Sequence, residues 1–187
     1  MRIKTTREKR ILIVKTTFRW FLYLLIVFLC FITMNAGTFM RPMLLIPVAL
    51  CISSNTGEFR SAIIGAVCGF MIDLSCDKLL GYNAVILCIF CVIISLSYSL
   101  ILRHRLANTL IITAVVSTIQ GVLDYNFYYD IWGYENSSLI LKKYTFPVIA
   151  LTTASAVVVY AVFSLINKFL MPKPHLTIEE AIKNYEE

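Results

Sequence analysis

The feature that most restricts this chain is the length of its uncharged runs. Residues 20–40, 79–102, 106–123 and 144–167 contain no Asp, Glu, Lys or Arg. A helix needs about 20 apolar residues to cross the hydrocarbon of a bilayer, and these runs are of that order. Only 15% of the 187 residues are charged and 59% are hydrophobic, whereas about a quarter of a soluble domain is charged. One small water-soluble core has too little interior to hide so much apolar surface. The expected fold class is therefore an all-α integral membrane protein.

Six segments are predicted to span: 18–34, 39–53, 59–74, 82–102, 106–124 and 146–171. The second and third are short and read as a tight hairpin, because Ser53-Ser54-Asn55-Thr56-Gly57 has turn chemistry. Pro42 suits a first turn, whereas Pro47 is expected to kink the second helix. The first span follows basic residues as a signal peptide would. It is too long for a cleaved core and is followed by further spans, so it reads as a retained anchor. Residues 1–17 form a basic tail, 18–171 the six-helix membrane domain, and 172–187 a polar tail. In that tail Thr177-Ile178-Glu179-Glu180 has capping-box spacing before a short amphipathic helix.

The net charge of +6 comes from basic residues at the ends of apolar segments and not from a patch on a polar domain, so nucleic-acid binding is not expected. With both termini in the cytoplasm, Arg41, Lys78, Lys142 and Lys143 fall outside and the other thirteen of the 17 basic residues fall inside. That asymmetry follows the positive-inside rule and favours an even number of spans. Five of the six cysteines lie in apolar segments, where Cys behaves as a small hydrophobe. Cys76 is expected to reach water, and Cys88 and Cys91 lie mid-span without the further ligands of a zinc site.

The third segment carries the most information. Ser61, Gly65, Gly69 and Asp73 recur every four residues and share one helix face. Small residues at that spacing let another helix approach closely in lipid. A carboxylate facing lipid is costly, and Arg41 and Asp124 are expected at the same outer depth as Asp73. One reading is an ion pair inside the bundle, Arg41 with Asp73 or with Asp124. The other is that each side chain reaches outer water. The loop after the fifth span holds Tyr128, Tyr129 and Trp132, either as an interfacial aromatic belt or as a docking surface. His104 and His175 have no neighbouring nucleophile or metal pair, and no phosphate-cradling glycine loop occurs. No catalytic, cofactor-binding or metal-binding set is therefore expected.

The string from Gly65 through Gly69 to Asp73, followed by Leu80-Gly81-Tyr82-Asn83-Ala84, resembles the signature of the rod shape-determining protein MreD family. Arg41-Pro42 and Pro47 in the second span fit the same pattern. The match covers residues 41–84, and the remainder agrees only in hydropathy. Family members often carry a second glycine nearer the Asp, where this chain has Phe70, Met71 and Ile72. The resemblance implies a non-enzymatic scaffold of the bacterial elongation machinery in the plasma membrane. Its implied partners are a bitopic MreC-like protein, a RodA-type glycosyltransferase with its transpeptidase, and an MreB-like filament. It implies no cofactor. The face of Ser61, Gly65, Gly69, Asp73 and Gly81 and the outer aromatic loop are then the expected contact surfaces.

Substrate-binding subunits of energy-coupling-factor vitamin transporters have a similar architecture and form the alternative. They tend to carry an Ala-x-x-x-Ala stripe on the first helix, which residues 20–30 lack.

Overall fold

The computed structural model describes residues 6–36, 42–100, 106–131 and 141–170. Among these residues six α-helices follow in chain order: α1 (Thr6–Ala36), α2 (Leu45–Ser53), α3 (Glu58–Ser75), α4 (Tyr82–Leu100), α5 (Leu106–Tyr125) and α6 (Phe146–Leu170). Helix α5 continues into a π-helical turn, Asn126–Asp130, and a second π-helical turn, Leu141–Thr145, leads into α6. No strand occurs among the described residues.

Five helices form a ring in the order α1, α3, α4, α5, α6, and α2 runs through its centre in contact with all of them. The position of α2 follows from its composition. Its nine residues, Leu45-Ile-Pro-Val-Ala-Leu-Cys-Ile-Ser53, contain no charge, and every one is buried. A helix apolar on all sides leaves no polar side chain stranded in a dry interior, and at nine residues α2 is too short to take a place among the ring helices. The ring helices behave differently. α1 buries one stripe, Tyr23, Val27 and Met34, and exposes Phe18, Phe21, Leu25, Phe28 and Ile32 around it. Exposed apolar side chains of this kind continue around α3 to α6. Such a surface is stable against hydrocarbon and not against water.

Among the described residues four helical stretches are long and apolar enough to cross a membrane: Ile13–Ala36, Tyr82–Leu100, Leu106–Tyr129 and Lys143–Leu170. The described residues are helical and strand-free, and the chain is membrane-embedded. α2 departs from the expected second span. It begins at Leu45 and not near residue 39, and at 1.5 Å per residue it is only about 13 Å long, too short to cross as a helix by itself. The prolines explain the late start. Pro42 lies before the helix, and Pro47 occupies its first turn, where a missing backbone N–H costs nothing. Pro47 therefore helps to begin α2 and does not kink it.

Two further boundaries moved. α1 begins at Thr6, so helix reaches into the stretch expected to be a separate basic tail. Residues 126–130, expected in a loop, prolong α5, and the Ile131 N–H closes the π-helical turn on Asn126 O at 3.1 Å. The C-terminal tail, with its expected amphipathic helix, lies outside the described residues.

We refer to the end of the bundle holding the α3–α4 turn as the upper end. There Asn35 of α1 donates to Ser75 Oγ of α3 at 3.2 Å. At the lower end the Tyr23 hydroxyl of α1 donates to Asn167 Oδ1 of α6 at 2.6 Å, and the Arg60 guanidinium lies 5.8 Å from the centre of the Trp20 ring. α2 starts well below the upper end, because the Met43 N–H donates to Thr152 Oγ1 at 3.0 Å. Thr152 is six residues into α6, about 9 Å down the helix.

Candidate functional site

The small-residue face of α3 packs inside the chain. A methyl group added to Gly69 would lie 2.3 Å from Ala84 Cα and 2.6 Å from Asn83 O, and one added to Gly65 would lie 2.7 Å from Leu87 O. Those distances are far below van der Waals contact, so the two backbones touch only because both positions are glycine. The partner across this face is α4, and it leaves no space there for a helix of another protein. Ser61, at the lower end of the same face, is buried and lies 3.0 Å from the Thr56 hydroxyl in the α2–α3 turn.

Asp73, the last member of the face, is completely buried. Its Oδ2 accepts the Gly81 N–H at 2.9 Å. Its Oδ1 accepts the Asn83 N–H at 3.2 Å and the Asn83 side-chain amide at 2.8 Å. Three donors at the start of α4 thus surround one carboxylate. The unpaired N–H groups and positive dipole of a helix N-terminus favour this arrangement. The turn between the helices is shaped for it, since Asp77 has φ 49° and Gly81 φ 96°. Gly81 therefore serves backbone geometry and supplies one of the donors.

The network reaches α5, where Gln120 donates from Nε2 to Asn83 Oδ1 at 2.7 Å. Above it, Lys78 in the α3–α4 turn pairs with Asp124 Oδ2. Arg41, the expected cation for Asp73 or Asp124, lies outside the described residues. Among those described, Lys78 is the cation at Asp124 and Asp73 is held by amides. Tyr128 belongs to the same assembly. Its hydroxyl oxygen accepts the Leu79 N–H at 2.9 Å, and Lys78 Nζ lies 5.8 Å from its ring centre. Tyr82 stacks on Phe127 at 4.9 Å and meets the edge of Tyr128 at 5.9 Å. Tyr129 stacks on Tyr125 at 6.2 Å, while Trp132 lies outside the described residues.

A cavity of about 630 Å³ opens beside this assembly. Met43, Ile46, Ser117 and Thr152 line its deep part, and Asp77, Lys78, Asp124, Tyr125, Tyr129 and Tyr144 line it nearer the upper end. Among the described residues, its position follows from the late start of α2, which begins only at Leu45, below the level of the α3–α4 turn.

Sequence reasoning singled out Asp73 and Asp124 but not Asn83, Gln120, Lys78 or Ser117 as their companions. Asn83 lies within the string that carries the family resemblance, and its fixed spacing from Asp73 was the available signal. Nothing in the linear sequence links Lys78 to Asp124 or Asn83 to Gln120 across 46 and 37 positions.

These features define a helical membrane protein whose polar interior is organised around the α3–α4 turn. No protein-family model, curated protein or solved structure matches the chain. Among the described residues no group of three or more His, Cys, Asp or Glu side chains could hold a metal ion.

Proposed function

We propose that this chain is a scaffold of the bacterial cell-elongation complex, similar to MreD proteins. It would act by binding and make or break no bond. In this reading it lies in the plasma membrane with six membrane segments and both termini in the cytoplasm. It holds a bitopic MreC-like protein and a RodA-type glycosyltransferase with its transpeptidase, beside an MreB-like filament, and so directs lateral wall synthesis.

The observation that supports this reading is the joining of the resemblance residues into one unit. Gly65 and Gly69 bring α3 against α4, and Asp73 then grips Gly81 and Asn83 at the start of α4. A string chosen by sequence likeness alone had no need to converge on a single fastening. Its effect is a rigid hairpin that holds the rest of the bundle surface in place for partners. Because α4 fills the glycine face, the contact surface for another transmembrane helix shifts to exposed faces such as Phe21, Leu25 and Phe28 of α1.

The test is affinity purification of the tagged full chain from its native membranes, with depletion of the chain in the same cells. A co-purifying MreC-like protein and loss of rod shape are expected. Asp73→Asn, by loosening the fastening, is expected to weaken both assembly and shape. Normal shape on depletion would overturn the proposal, as would recovery of a transporter ATPase with a stoichiometric vitamin.

A further inference from the structure

We propose that the cavity beside the α3–α4 turn is a binding site for a small organic cation with an apolar ring, a property that goes beyond the scaffold reading and does not depend on it. The volume, about 630 Å³, falls within the range of small-molecule sites, roughly 300–1,000 Å³.

Two polar atoms argue that the site is built for a ligand. Ser117 is 4% exposed and Asp124 8% exposed, and both line the cavity. Ser117 Oγ and Asp124 Oδ1 are buried with no hydrogen-bond partner among the described residues. A buried polar atom without a partner is destabilising, and a half-satisfied carboxylate more so. Lys78 occupies only Oδ2 of Asp124, so Oδ1 is left to accept from a donor that comes from elsewhere. Ser117 lies seven residues below Asp124 on α5, about 10 Å along the same face. A ligand touching both must extend down the cavity.

The lining sets the chemical class. Asp77 and Asp124 outnumber Lys78 among its charged side chains, so the local balance favours a cation. Tyr125, Tyr129 and Tyr144 supply aromatic surface, which attracts cations and stacks on flat rings. Ile46, Val148 and Ile149 add apolar wall. An ammonium group directed at Asp124, carried on an aromatic body that extends towards Ser117, satisfies each of these features.

The experiment uses the full chain in lipid nanodiscs with three probes: tryptamine as the cation, 3-ethylindole as its neutral counterpart and indole-3-propionate as the anion. Tryptamine is expected to bind saturably, at least about tenfold more tightly than either of the others, the factor that loss of one charged hydrogen bond produces. It is also expected to protect Cys76, which lines the cavity, from alkylation by N-ethylmaleimide. Asp124→Asn should reduce tryptamine affinity about tenfold or more. Ser117→Ala leaves the ion pair untouched and should weaken binding by a smaller factor, which covers the case in which the Asp124 variant fails to fold. Absence of saturable tryptamine binding would overturn the proposal. So would equal affinity for the three probes, or binding that leaves Cys76 unprotected.

Discussion

Asp73 of α3 and Asn83 of α4 are joined twice through a single oxygen, Oδ1 accepting both the backbone N–H at 3.2 Å and the side-chain amide at 2.8 Å. An asparagine at 73 keeps only one acceptor oxygen and sets an amide against the Gly81 or Asn83 donors. Asp73→Asn is therefore expected to destabilise the bundle by about 1–3 kcal/mol, the cost of unsatisfied buried donors. Asp73→Ala should cost at least as much. Thermal unfolding of the purified chain in detergent reads the loss, and an unchanged midpoint for Asp73→Ala would contradict the network.

The close approach of α3 and α4 gives a steric prediction. Gly69→Ala places a carbon 2.3 Å from Ala84 Cα, and overpacking of a tight interface costs about 1–3 kcal/mol. Gly65→Ala should follow the same course. Gly57→Ala is the control, because nothing lies within 4 Å of its added carbon, and its φ of −71° suits alanine. The three unfolding midpoints should separate, with Gly57→Ala nearest the parent value, lowered only by the small loss of a glycine N-cap on α3.

Lys78 and Asp124 form an ion pair whose side chains are only 17% and 11% exposed. Removing one partner leaves the other charge buried, so Lys78→Ala is expected to cost about 3–5 kcal/mol. Replacing both, as Lys78→Met with Asp124→Leu, should recover most of that loss. A double-mutant cycle on denaturant unfolding measures the coupling, and strict additivity of the single changes would argue against the pair.

At the opposite end, Tyr23 and Asn167 hold α1 to α6. Tyr23→Phe keeps the ring contact with Phe163 at 5.2 Å and removes the hydroxyl alone. The expected loss is about 0.5–1.5 kcal/mol. Asn167→Ala should add little once the hydroxyl is gone, since both changes break one bond.

The parts of this fold legible in the sequence are those written in local patterns. Uncharged runs located α1, α4, α5 and α6, and four-residue spacing put Ser61, Gly65, Gly69 and Asp73 on one buried face of α3. The depth of α2 was not legible. Hydropathy reports that Leu45 to Ser53 is apolar, but the extent of the helix depends on where Pro42 and Pro47 allow it to begin. The helical course of residues 126–130 was hidden for a different reason. Asn126 and the aromatic residues after it read as interfacial loop chemistry, whereas Tyr82 stacking on Phe127 holds them in line with α5. The candidate site depends on pairs far apart in the chain, Lys78 with Asp124 and Asn83 with Gln120. Those pairs exist only once the ring has closed.

The nine-residue length of α2 also bears on how the protein is made. A segment of about 13 Å is too brief to be retained in the bilayer on its own as it leaves the ribosome. Its greasy flanks gain their full shelter only after α4, α5 and α6 have been synthesised and have gathered around it. The central rod of the finished molecule is thus the piece whose final seating must wait for later-born neighbours, and the order of assembly runs inward from the perimeter.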